Sequence, residues 1–235
     1  MKMLLTKLAV PCAVFCLVGT AYAVPIGIDA ANAASNGFSL DTTDNTGAPG
    51  GLGSFGFVNC PAAPPVGLGS LNFQTPPGNG DQALQLRFSG FLGTSLSSIT
   101  TLSYSTFAAA FNGAQLPFLT LYVGNTGLGG GGGGDRIFFE PVYTPVQGAV
   151  ATGVWQTWNV LTGNVITDST GFPPISWGAY LAANPLAFLV NDPNPTFAGT
   201  GGIRFASGNS GPGDNFNTNM DNFTFNSVTS RRCLS

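Results

Sequence analysis

Histidine is absent from this sequence, lysine stands only at Lys2 and Lys7, and Glu140 is the one glutamate. Without imidazole, Ser-His-Asp and Cys-His nucleophile systems and histidine metal sites are excluded. Charged residues make up 7% of the chain, far below the usual quarter, so Gly, Ser, Thr and Asn carry most of its polarity. Such a surface is hydrated but weakly self-repelling, a pattern that favours an assembled or matrix setting. Long apolar runs are also missing after residue 18, and helical periodicity is scarce throughout.

What the first residues do contain is an export signal. Lys2 and Lys7 precede an apolar stretch from Leu8 to Val18, and Ala21-Tyr22-Ala23 forms a small-x-small cleavage site. The apolar stretch is too short to span a bilayer. Residues 1–23 are therefore expected to be removed, leaving a secreted, extracellular chain with no stable membrane span. Five arginines then face ten acidic residues, a net charge of −5. Nucleic acid and anionic membrane are poor partners for that balance. Cys60 and Cys233 remain after export, in a compartment that permits oxidation. Paired, they would contribute about 5 kcal/mol by closing a long loop; two separate thiols are the alternative.

Short alternating runs between Gly, Pro and Asn clusters predict an all-β fold, an antiparallel sandwich with one short helix. In "QALQLRF", Leu84, Leu86 and Phe88 point one way, Gln85 and Arg87 the other. Leu102 and Tyr104 share a face of "TLSYSTF", and "FLTLYV" sets Leu119, Leu121 and Val123 against Phe118 and Tyr122. "RIFFEPVY", "VWQTWNV", "LAFLV", "GIRFA" and "NFTFNS" continue the series. Residues 176–183 read as a one- to two-turn helix capped by Ser176. Residues 24–50 read as a loose segment with one strand at Phe38 to Leu40, residues 51–230 as one sandwich domain, and 231–235 as a tail. The run "GLGGGGGGD" lacks the Lys-Ser/Thr and the helix of a phosphate loop and reads as a hairpin tip.

Several stretches also carry a family resemblance: "FVNCPAAPPVGLGSLNF" at 57–73, "LSSITTLSYSTF" at 96–107, "PFLTLYV" at 117–123, "DRIFFEPVY" at 135–143, "GVWQTWNVLTG" at 153–163, "SWGAYLAANP" at 176–185 and "NMDNFTF" at 219–225. In this arrangement the chain resembles a group of secreted, mostly bacterial β-sandwich proteins of jelly-roll-like character, for which no activity is established. It is more weakly similar to jelly-roll carbohydrate-binding modules. That second resemblance implies a structural calcium near the closing strand. Similar proteins carry an Asp-rich loop where this chain has Gly129 to Gly134, which leaves only Asp135 of that loop as a ligand.

The candidate chemistry follows from these patterns. Trp155 and Trp158, at i and i+3 on a strand, fall on opposite faces, so one enters the core and the other is free to stack on a sugar ring. Gln156 and Asn159 would then meet sugar hydroxyls. Calcium takes six to eight oxygens, which Asp214, Asn217, Asn219 and Asp221 could supply together with Asp135 or Asp192. The competing reading of that run is an Asx-rich turn feeding a strand with Phe223 and Phe225 inward. Two carboxyls suffice for glycoside hydrolysis, but Glu140 directly precedes Pro141, where pairing with Arg136 or capping a loop is the simpler role. The expectation is a non-catalytic secreted sandwich that binds an extracellular glycan. Self-association as a structural surface or matrix protein is the alternative, and a carboxylate hydrolase the more distant one.

Overall fold

The structure is a computed structural model describing residues 25–28, 31–43, 53–59, 62–67, 69–75, 83–110, 115–124, 134–197, 199–207, 216–226 and 228–232. Residues 1–23, expected to be an export signal, and Cys60, Cys233, Asp214 and the glycine run before Gly134 lie outside the described residues. Strands β1 (Pro25–Ile28), β2 (Phe38–Thr43), β3 (Ser54–Asn59), β4 (Gly69–Gln74) and β5 (Ala83–Phe88) come first. They are followed by β6 (Leu102–Ala110), β7 (Phe118–Gly124), β8 (Asp135–Phe139), β9 (Trp155–Asn159) and β10 (Asn164–Thr167). Strand β11 (Gly171–Ser176) leads into helix α1 (Trp177–Ala183), and β12 (Phe188–Leu189), β13 (Ile203–Ala206), β14 (Asn217–Phe225) and β15 (Val228–Arg232) complete the order.

Two sheets result. In the first, β14 is the central strand: β6 runs along one side with β9 beyond it, while β4 and β15 share the other side. The second sheet has the order β11-β10-β8-β7-β13-β5-β2, with β12 on the end of β7. Pairing is antiparallel throughout except between β1 and β15. The segment read as loose is thus built into both sheets, because β1 joins β15 and β2 forms the edge beside β5. The strand expected at Phe38 to Leu40 is the start of β2, whereas β1 has too short an alternation to announce itself and owes its conformation to a partner far away in sequence.

The sheets meet through aromatic rings. Tyr104 of β6 packs edge-on against Phe205 of β13 at 5.0 Å between centroids, and Phe223 of β14 does so against Phe205 at 5.1 Å. Phe225 stacks on Phe91 at 4.1 Å. Leu84, Leu86, Leu119, Leu121, Val123 and Phe205 are buried from the second sheet; Leu71, Phe73, Leu102, Tyr104 and Trp158 are buried from the first. Fully burying one such side chain contributes roughly 1.5–3 kcal/mol, so this interlayer core dominates stability.

Helix α1 falls where its sequence signals place it. The Ser176 hydroxyl accepts from the Ala179 amide at 3.1 Å, and Asn184 ends the helix by donating its side-chain amide to the Tyr180 carbonyl at 3.1 Å. Trp177 and Tyr180 are buried and dock it.

The asparagine-rich stretch differs from its reading as a turn, since it is already strand from Asn217 onward. A bulge between Asp221 and Thr224 in the ladder to β6 places Asn222 at φ 53, a left-handed conformation that asparagine tolerates. The extra residue resets the alternation, so Thr218 and Met220 are buried before it and Phe223 and Phe225 after it.

Candidate functional site

The polar phase of the second sheet assembles a cleft that single segments do not reveal. On β5, Leu84 and Leu86 face the core, which turns Gln85 and Arg87 to the outer face. The same parity turns Arg204 outward on β13, Thr120 and Tyr122 on β7, and Arg136 on β8. Register then gathers them: Arg204 lies opposite Arg87 on one side and Thr120 on the other, and Tyr122 opposite Arg136. Three of the chain's five arginines thereby share one cleft of about 430 Å³. Asp192, Pro193 and Asn194 close one side of it.

That closing segment is held by backbone bonds. The Val190 amide donates to the Tyr122 carbonyl at 2.9 Å and the Asp192 amide to the Gly201 carbonyl at 3.0 Å. Gly201, at φ 105, passes so close to β5 that a Cβ would run into the Phe88 carbonyl. This close passage seats β13 and the Asp192 segment against the same strand.

Electrostatically the three arginines differ. Arg87 is buried and fully engaged: its guanidinium donates to Asp192 Oδ2 at 2.5 Å and to Gln85 Oε1 at 2.5 Å, and its Nε lies 3.3 Å from Asp41 Oδ2. Burial nevertheless pushes the Asp41 carboxyl above its ordinary value, with Arg87 opposing the shift. Arg136 holds exposed Asp168 through two bonds, Nε at 2.6 Å and Nη2 at 3.0 Å. Arg204 has no carboxylate partner among the described residues; its Nη2 donates to the Thr120 hydroxyl at 3.1 Å, and its guanidinium lies 5.9 Å from the Phe118 ring and 5.8 Å from that of Tyr122. Burial lowers the pKa of Arg204; Tyr122 and Asp192 oppose that shift by charge, while Arg87 and Arg136 add to it. Burial raises the Tyr122 hydroxyl, as Asp192 does by charge and hydrogen bond, so it stays neutral at physiological pH.

The residues expected to form a sugar platform lie elsewhere and are occupied. Strand parity puts Trp158 in the core, with no exposed surface, where its Nε1 donates to the Thr106 hydroxyl at 2.8 Å. Stacking on a sugar is closed to it. Gln156 clamps the backbone at Ala149 and Ala151, and Asn159 accepts from the Leu161 amide at 3.0 Å to cap a short turn. Trp155 does fall on the opposite face, half-buried beside Phe107 at 5.6 Å, with its Nε1 3.5 Å from the Ala62 carbonyl.

The described part of the proposed calcium set divides between the two sheets. Asp135 belongs to the second sheet, where Ser169 donates to it from its hydroxyl at 2.6 Å and its amide at 3.2 Å, and the Tyr180 hydroxyl at 3.3 Å. It ties β8 to α1, and its charge adds to the burial that pushes Tyr180 well up. Asp221 belongs to the first sheet and accepts from the Val66 amide at 3.2 Å. Asn217 and Asn219 both accept from Asn72, at 2.9 and 3.2 Å, and Asn219 donates to Ser70 at 2.8 Å. Among the described residues no three His, Cys, Asp or Glu side chains cluster as a metal site requires. Arg136 pairs with Asp168 rather than Glu140, because Glu140 lies four residues further along an extended strand, roughly 13 Å away.

No family model and no curated protein matches this sequence. Among solved structures, a β-1,2-glucanase from Parabacteroides distasonis is similar at 10% identity and a TM-score of 0.40, over 80% of this chain. The chain spans 22% of the length of that structure. So slight a likeness passes no activity to this protein.

Sequence reasoning missed the cleft because its residues come from four strands and a loop. The signal was nevertheless present: Arg87, Arg136 and Arg204 each occupy the polar phase of an alternating strand in a chain that has few other cations.

Proposed function

We propose that this chain is a secreted, non-catalytic β-sandwich protein that binds an extracellular carbohydrate in the cleft on the outer face of its second sheet. The observation that carries the reading is the cleft itself. Its volume of about 430 Å³ falls within the ~300–1,000 Å³ typical of small-ligand sites, and its lining converges amide, carboxylate and guanidinium groups on one space. The Gln85 and Asn194 amides and the Arg204 guanidinium offer the in-plane groups that sugar hydroxyls require. Asp192 is the one carboxylate among the lining residues, and it is committed to Arg87. A hydrolase of the two-carboxyl kind needs a second acid facing it across the substrate, at roughly 5–9.5 Å.

Affinity electrophoresis of the mature protein through gels containing soluble polysaccharides tests this reading. Retardation by at least one polysaccharide is expected, lost when Asn194→Trp fills the mouth of the cleft. A second reading, self-association, draws on Phe172, which is 63% exposed on β11 at the end of the second sheet. Unretarded migration in every gel, together with concentration-dependent assembly in sedimentation, would favour that alternative.

A further inference from the structure

Arg204 is out of balance with its surroundings. Acids outnumber arginines two to one beyond the export signal, yet among the described residues no carboxylate reaches its guanidinium. Its Nε is buried with no hydrogen-bond partner there. Neighbouring Arg87 and Arg136 repel it, while their own charges are taken up by Asp192 and Asp41 and by Asp168. A half-buried cation left in that condition costs stability, because its water is removed with only the more distant charge of Asp192, and no direct ion pair, in return. Its hydrogen bond to the Thr120 hydroxyl and the two rings beside it fix its orientation without pairing it with an acid among the described residues.

We propose that Arg204 is a specificity-determining residue for an acidic polysaccharide, its guanidinium receiving a carboxylate or sulfate oxygen pair of the sugar. The inference rests on the cleft being the carbohydrate site. The chemistry fits a planar fork: guanidinium meets carboxylate and sulfate oxygens through two parallel bonds, which an ammonium cannot do. Specificity comes from the same physics, since a neutral sugar would leave the cation as poorly matched as it is in the free protein. Around this point Gln85 and Asn194 address hydroxyls, so the anion selects the sugar while the amides orient it.

The test is calorimetric titration of the full mature protein with two matched pairs: polygalacturonate against its fully methyl-esterified form, and dextran sulfate against dextran. The expected result is at least about tenfold tighter binding to one charged member than to its neutral partner, with the pair that responds separating carboxylate from sulfate. Arg204→Gln should erase that preference, a loss of roughly 10- to 100-fold for a hydrogen bond to a charged group. Arg204→Lys should recover only part of it, and it serves as the second variant should Arg204→Gln fail to fold. Equal affinity for charged and neutral partners would overturn the acidic proposal and leave the carbohydrate reading standing. Absence of binding to all four would overturn both.

Discussion

The two outer faces of the sandwich obey the same strand parity and arrive at opposite solutions. On the first sheet, most polar positions carry neutral groups that satisfy one another, Asn72 with Asn217 and Asn219, Asn219 with Ser70, and Ser105 with Thr157 at 2.8 Å, while the buried Asp221 carboxylate accepts from the Val66 amide. The connector around Ala62 to Gly67 contacts that face through the Val66 amide and the Ala62 carbonyl. On the second sheet, the corresponding positions carry arginines, and a cleft stays open over them. Neutral amides can close a face by pairing internally; a cluster of like charges cannot, because each needs its own acid. An open polar face with one cation lacking its acid is where a ligand has something to contribute.

The largest effect should come from breaking the ionic face at its centre. Arg87→Ala leaves Asp192 buried and Asp41 partly buried without their cation, and a loss of about 3–5 kcal/mol is expected in denaturant unfolding. Asn219→Ala asks the same question of the amide face, where only neutral groups lose partners, and about 1–3 kcal/mol should be lost. If the two variants cost the same, the distinction between a charged and a neutral outer face has no energetic content.

The outline of the fold was legible wherever one strand carried its own alternation. Leu84 with Leu86, Leu102 with Tyr104, and Phe223 with Phe225 all face inward as their spacing predicts, and Ser176 caps the helix assigned to it. Strands β1 and β10 were not legible, because neither "PIGI" nor "NVIT" carries more than one cycle of alternation between apolar and polar residues. The bulge at Asn222 was hidden for a related reason, since one extra residue shows only against β6. The site divides in the same way. Opposite faces for Trp155 and Trp158 followed from i, i+3 parity, but their surroundings did not. The cleft depends on which strands become neighbours, and no local pattern states that Arg204 lies between Arg87 and Thr120.

The smallest effect lies off both faces, at Glu140, whose carboxyl burial raises above its ordinary value of 4.5. Its contribution to stability is therefore fully present below the unfolded value and lost as pH rises through the folded one. Glu140→Gln should raise the melting temperature slightly at pH 7, and the difference should close as the pH falls below about 4.5. A gap that widens in acid would mean that Glu140 is held as an anion instead.

Hydrogen-deuterium exchange of the mature protein with and without a bound polysaccharide tests the central claim, that the ionic face is the binding face. Protection is predicted over residues 190–194 and 203–206, with 62–67 and 155–159 unchanged. Protection confined to 62–67 and 155–159 would place the ligand on the amide face beside Trp155 and contradict the account.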